Sequence, residues 1–200
     1  MIKKIICVVS IFAFLVCTTG CLEDDVVNQD SLVCELLQDL SEKSYLSTEI
    51  SIVTTTEFAQ LSANYFVTQN NVTYSIEQLN LLPSCEDING LLQDYKTLIT
   101  GEAVIKDGEV IELDGNSITL PSDNELMGKF NFDEKNFQNI VVESGLLTAD
   151  VISPSQFYGT AVDMQDVKIA VKYSETSIEE IVVSYETEKS TVQAVYEFES

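Results

Sequence analysis

The strongest constraint on the fold is a two-residue alternation near the C-terminal end of the chain. Val167, Ile169, Val171 and Tyr173 alternate with Lys168, Ala170 and Lys172; Ile181, Val183 and Tyr185 follow, then Val192, Ala194, Tyr196 and Phe198. Successive side chains of a strand point to opposite faces, so this spelling predicts a three-strand antiparallel meander with one buried face. The same period recurs upstream. "STEISIVTTTEF" is rich in β-branched residues, and "SANYFVTQNNVTYSIEQL" reads as two strands joined by a polar turn at Gln69, Asn70 and Asn71. "EAVIK", Asp107, Gly108 and "EVIEL" make the clearest hairpin, because Asp-Gly suits a type I′ turn; Lys106 should then face Glu109. Asp114 and Gly115 turn the chain into "NSITL", and shorter strands are expected near residues 127–132, 139–143 and 146–152.

Two stretches break this pattern with helical spacing. From residue 31 to 43, Leu32, Val33, Leu36, Leu37 and Leu40 lay one stripe along a helix that Asp30 or Ser31 can cap. In "SCEDINGLLQDYKTLI", Ser84 and Asp87 form a capping-box pattern, and Ile88, Leu91, Leu92, Tyr95 and Leu98 share a face. The elements together predict an α+β domain over residues 31–200, with a dominant antiparallel sheet and two main helices packed against it. No long repeat or linker divides it.

The N-terminus carries an address. Lys3 and Lys4 precede an apolar run from Ile5 to Cys17, which is short against the roughly 20 residues a spanning helix needs. Thr18, Thr19 and Gly20 then stand directly before Cys21. This order resembles the lipobox of prokaryotic lipoproteins, with Thr18 where leucine is commonest. The resemblance implies that residues 1–20 are a signal peptide, that the Cys21 thiol carries diacylglycerol, and that the mature chain starts there. Cys17 fits less well, because the preceding Val16 is bulkier than the usual Gly or Ala. Each buried methylene contributes about 0.8 kcal/mol, so two or more acyl chains hold a domain at a membrane where one is marginal. The alternatives are an ordinary secretory signal or a short uncleaved anchor. Residues 21–30, with Glu23, Asp24 and Asp25, form an acidic tether.

An extracytoplasmic, membrane-anchored location in the cell envelope or at the cell surface gives the two remaining cysteines a meaning. Cys34 and Cys85 both fall in first turns of the expected helices, and an even pair in an oxidising compartment predicts one disulfide, worth roughly 4 kcal/mol by loop closure. Two unpaired buried thiols are the alternative.

Composition removes several functions. All 10 basic residues are lysines; Lys3 and Lys4 leave with the signal, so 8 lysines face 33 acids and the mature net charge is 8 − 33 = −25. Nucleic-acid binding through phosphates is excluded on that balance, and anionic headgroups repel the domain. Histidine, arginine and tryptophan are absent. Histidine-dependent triads, histidine metal sites and arginine phosphate clamps are therefore excluded, which leaves at most a carboxylate-only hydrolase and points away from an enzyme.

A lipidated cysteine, a first helix, successive hairpins, an intervening helix and a C-terminal meander resemble, in order, the half-barrel lipoproteins and carriers related to LolA and LppX. That resemblance covers most of residues 30–200 and rests on no diagnostic motif. It implies a curved sheet around helices, with a cavity for a lipid or other apolar ligand. Lacking arginine and being far more acidic, the chain departs from those relatives, which weakens any partner inferred from them. A module docking another envelope protein through its sheet is the structural alternative.

Among individual residues, Phe157 and Tyr158 are the candidate ligand-binding pair, since Pro154 and Gly159 bracket them in an expected loop. A loop folded back over the core is the competing reading. Turns at Asp114, Ser122 and Asp133 offer oxygen donors for weak calcium association, yet lack EF-hand spacing and match ordinary turn chemistry. Asn71, Val72 and Thr73 spell a glycosylation sequon. The acids Glu179 with Glu180 and Asp163 with Asp166 carry no evidence of a catalytic pair.

Overall fold

A computed structural model describes residues 29–57, 59–80, 96–106, 109–113 and 120–200. Among them, strands β1 (Ser47–Thr56), β2 (Ala59–Thr68), β3 (Asn71–Asn80), β4 (Lys96–Lys106) and β5 (Glu109–Leu113) form one meander. A second meander comprises β6 (Phe137–Glu143), β7 (Leu146–Val151), β8 (Gln165–Tyr173), β9 (Ile178–Glu186) and β10 (Ser190–Glu199). Antiparallel pairing of β1 with β10, in the register Ser47↔Glu199 to Thr56↔Ser190, joins the two halves. The result is one open sheet of order β5-β4-β3-β2-β1-β10-β9-β8-β7-β6. Its edges are β5 and β6, which are consecutive in the chain, so the segment between them travels from one edge of the sheet to the other.

The alternation resolves into one apolar face shared by the strands. Gly101, Tyr74, Tyr65, Ile50, Tyr196, Ile181, Val171, Leu147 and Val142 stand side by side across nine strands. Gly101 is required at its place: a methyl group there would run into the Tyr74 phenol ring, which lies over the glycine. The opposite face is polar. Glu180, Glu197 and Glu49 are direct cross-strand neighbours on it, a like-charge arrangement that only solvent screening makes tolerable.

Helix α1 (Gln29–Ser41) buries Cys34, Leu37 and Leu40 and packs on β6 and β9. It begins two residues before the expected start, with Asp30 in its first turn where a carboxylate favours the helix dipole. One-turn helices α2 (Asp123–Leu126) and α3 (Pro154–Phe157) and a 3₁₀ turn (Glu134–Asn136) complete the described elements.

The three-strand tail, the 139–143 and 146–152 strands and the β2–β3 hairpin occur as the alternation predicts. Lys106 and Glu109 are register partners, as expected of the Asp-Gly hairpin, whose turn lies outside the described residues. Two expectations are corrected. Residues 96–99, Leu98 among them, close the stretch assigned to the second helix but lie on β4, where pairing with β3 runs from Lys96 to Val104; residues 84–95 of that expected helix lie outside the described residues. Residues 127–132 form no strand. Among the described residues no helix is long and apolar enough to cross a membrane; the apolar run at residues 5–17 and Cys21 lie outside them.

Candidate functional site

The edge-to-edge connection runs over the apolar face and builds a polar centre on it. Ser122 caps α2: its hydroxyl accepts from Glu125 N at 3.4 Å, while Ser122 N and Oγ donate to Glu125 Oε2 at 3.0 and 2.9 Å. The other oxygen, Oε1, accepts from the Tyr196 hydroxyl at 3.0 Å, which pins the crossing segment to the middle of the sheet. Gly128 has φ +67°, and a side chain there would strike the Phe198 ring. Phe130 then meets Tyr196 edge-on, with centroids 5.0 Å apart.

Around this centre lies an aromatic cluster. Phe157 stacks on Phe130 at 5.0 Å and meets Tyr158, Phe132 and Phe137 edge-on at 5.2, 5.7 and 5.8 Å. Phe157 and Tyr158 are 0 % and 1 % exposed. The loop therefore folds back as a turn of helix whose aromatic pair sits inside the core, with Pro154 at a position where its missing N–H costs nothing.

Burial pushes the phenols of Tyr65, Tyr158, Tyr185 and Tyr196 above their ordinary range. The Glu125 carboxylate adds to all four, and for Tyr196 the neighbouring Tyr158 outweighs it. The Tyr158 and Tyr74 hydroxyls are buried without a hydrogen bond. Tyr196 lies near enough to Tyr158 to ease its ionisation slightly, but not in bonding geometry. Protonated phenols supply neither a nucleophile nor a base at neutral pH. Glu125, holding three donors, is a structural acceptor beside the Ser122 turn. Its spacing from Ser122 was the available signal, the same capping-box spelling noted at Ser84.

The apolar face is not filled evenly. Beside the buried tyrosine row, Ile52, Ile76 and Ile99 lie in the next row across the sheet and are only half-buried, as are Leu61 and Tyr185 one step further. Several openings border the described core. One, about 860 Å³, runs between α1 and the 3₁₀ turn with β6 and is rimmed by Glu35, Asp39, Asp133 and Glu134. Cys34 lies at its floor as a free, buried thiol, pushed up to about 11 by burial and then by Glu134, Asp30 and Asp133. Its expected partner, Cys85, lies outside the described residues. A second opening of about 370 Å³ separates α1 from the crossing segment and α3. A third, of about 230 Å³, is bordered by Glu49 and Glu197. The fourth, about 200 Å³, lies between α2 and the ends of β1, β2 and β4.

Asn71 is exposed and opens β3, with its backbone N–H bonded to Thr68 Oγ1. Of the calcium candidates, Asp114 lies outside the described residues, Ser122 caps α2, and Asp133 caps the 3₁₀ turn through Lys135 N at 3.1 Å. Among the described residues no group of three or more acidic or cysteine side chains is placed to hold a metal. Glu179 is paired with Lys172 at 3.0 Å. No family model and no curated protein matches the chain, so neither comparison points to a catalytic activity.

Proposed function

We propose that this chain is a lipid-anchored extracytoplasmic protein, held at a membrane through an acylated Cys21. It acts by binding rather than catalysis and holds a lipid or other apolar ligand against the inner face of a sheet curved in the manner of the LolA and LppX relatives. The observation that carries this reading is the half-burial of large apolar side chains on the β1–β4 side of that face, while Ala63, Ala194 and Val183 of the same row are buried. Ile52, Leu61, Ile76 and Ile99 remain half-buried beside a fully buried tyrosine row. Their apolar area would be favourable to cover, at about 25 cal/mol per Å².

The test is native mass spectrometry of the full chain extracted in mild detergent, compared with its denatured mass, which contains only covalent lipid. An additional lipid-sized mass in the native spectrum is the expected result; equal masses would overturn the reading. Equal masses would instead favour docking of an envelope protein. The open edge β6, where Val141 is 52 % exposed, is the observation behind that second reading.

The anchor has its own expected outcome. Cys21→Ser should abolish metabolic labelling by fatty acid and move essentially all of the protein from the membrane fraction to the soluble one, since a two-chain anchor outweighs every other membrane contact of so acidic a domain. Retention of Cys21→Ser at the membrane would identify an uncleaved signal anchor.

A further inference from the structure

These openings differ in charge. Three of them each carry at least one carboxylate, as an acidic chain leads one to expect. The one beside α2 carries none: its lining includes Lys43 and Lys129, with no Asp or Glu. Ser44, Ser47, Thr68 and Gln69 also line it, around an apolar part. Val67, Ile105 and the Thr48 side chain, all buried on the inner face of the sheet, form the floor, and Leu126 with Met127 form the roof. Both lysines are exposed, which places them at the mouth. Neither makes an ion pair among the described residues; the Lys43 amine donates to Thr176 O at 2.9 Å. Glu199, at the end of β10, accepts from the Ser47 hydroxyl at 2.8 Å.

A short apolar slot with a doubly cationic mouth is complementary to a molecule with one narrow apolar tail and one anionic end. We infer that this slot binds the end of a single-chain anionic amphiphile, of the chemical class of a fatty-acid carboxylate, with the tail under Leu126 and Met127 and the carboxylate between Lys43 and Lys129. At about 200 Å³ the slot is smaller than a site for a whole drug-sized molecule, so it takes one chain and not a diacyl lipid. The inference rests on the apolar-ligand reading above and gives that ligand a charge and a chain number.

The test is calorimetric titration of the full chain in zwitterionic phosphatidylcholine nanodiscs with decanoate and with decan-1-ol, empty nanodiscs serving as the blank. Decanoate should bind about tenfold more tightly than the alcohol, the gain expected from two partly screened cationic contacts. The double variant Lys43→Gln, Lys129→Gln alters only exposed side chains and should reduce decanoate to the level of the alcohol while leaving alcohol binding unchanged. Equal binding of both probes to the unaltered chain, or a preference that survives the double variant, overturns the anionic assignment and leaves the apolar reading standing. Binding of neither probe overturns the slot as a site; the native mass then decides separately whether the wider face holds a lipid.

Discussion

Replacing Phe157 by Ala is expected to destabilise the protein by about 3–5 kcal/mol, the range for emptying a buried aromatic position. Phe157 is 0 % exposed and touches four other rings, two of which, Phe130 and Phe132, belong to the segment that crosses the sheet. Removing it therefore leaves a cavity at the junction of α3, the crossing segment and β6, where three separate stretches of chain must move together to close it. Against a typical total stability of about 5–15 kcal/mol, the loss is a large fraction. Urea unfolding followed by far-UV circular dichroism measures it: the midpoint should fall with little change in slope. Phe66→Ala is the control. Phe66 is 42 % exposed on the polar face, and its loss should cost no more than about 1 kcal/mol. If Phe157→Ala cost no more than Phe66→Ala, the aromatic pair would be free to serve a ligand, as the bracketing Pro154 and Gly159 suggest from sequence.

What the sequence made legible follows the range of the interaction involved. Tail strands, the β2–β3 hairpin and the Lys106–Glu109 register are set by neighbours in the chain, and alternation with turn chemistry reports them directly. The pairing of β1 with β10 has no such signature, because Ser47 and Glu199 recognise each other only after both meanders exist. Residues 127–132 mislead for a different reason. Met127, Phe130 and Phe132 look strand-like, but Gly128 adopts a positive φ and the backbone finds partners outside any ladder. Lys129 N donates to Asn124 O, Asn131 N to Phe157 O, and Phe132 N to the Gln38 side chain, at 2.7, 2.9 and 2.8 Å. Leu98 was drawn into a helix by its spacing from Tyr95, yet its backbone pairs with β3 and its side chain is 59 % exposed. The candidate site was less legible than the fold. Glu125 becomes central only through Tyr196, 71 residues away, and the slot at Lys43 and Lys129 joins the loop after α1, α2 and three strand ends that no local pattern connects.

Raising the pH should unfold the protein cooperatively, and the tyrosine centre sets where. In the unfolded chain phenols ionise near 10 and a thiol near 8.5. In the folded chain Tyr158 and Tyr196 are held well above that range, chiefly by burial; the Glu125 carboxylate adds to both, and the neighbouring Tyr158 adds to Tyr196. Cys34 is pushed up to about 11. Each raised value means that the native state keeps a proton that the unfolded state releases. The stability these groups support is complete below their unfolded values and is lost as pH rises towards the folded ones. Each contributes a slope of about 1.4 kcal/mol per pH unit, so Cys34 alone acts first, above pH about 9, and the three together give about 4 kcal/mol per unit once the phenols join near pH 10. Tyrosinate absorbance and far-UV circular dichroism should then change together in one step above pH 10 and recover on return to neutral pH. Gradual appearance of tyrosinate from all eight tyrosines near pH 10, with the dichroism unchanged, would show that the phenols are not buried beside Glu125. Tyr196→Phe separates the two roles of that residue. Loss of the bond to Glu125 should lower stability at neutral pH by about 1.5–3 kcal/mol, the range for a hydrogen bond to a charged group. Loss of one titrating phenol should at the same time make the alkaline slope shallower by about 1.4 kcal/mol per unit.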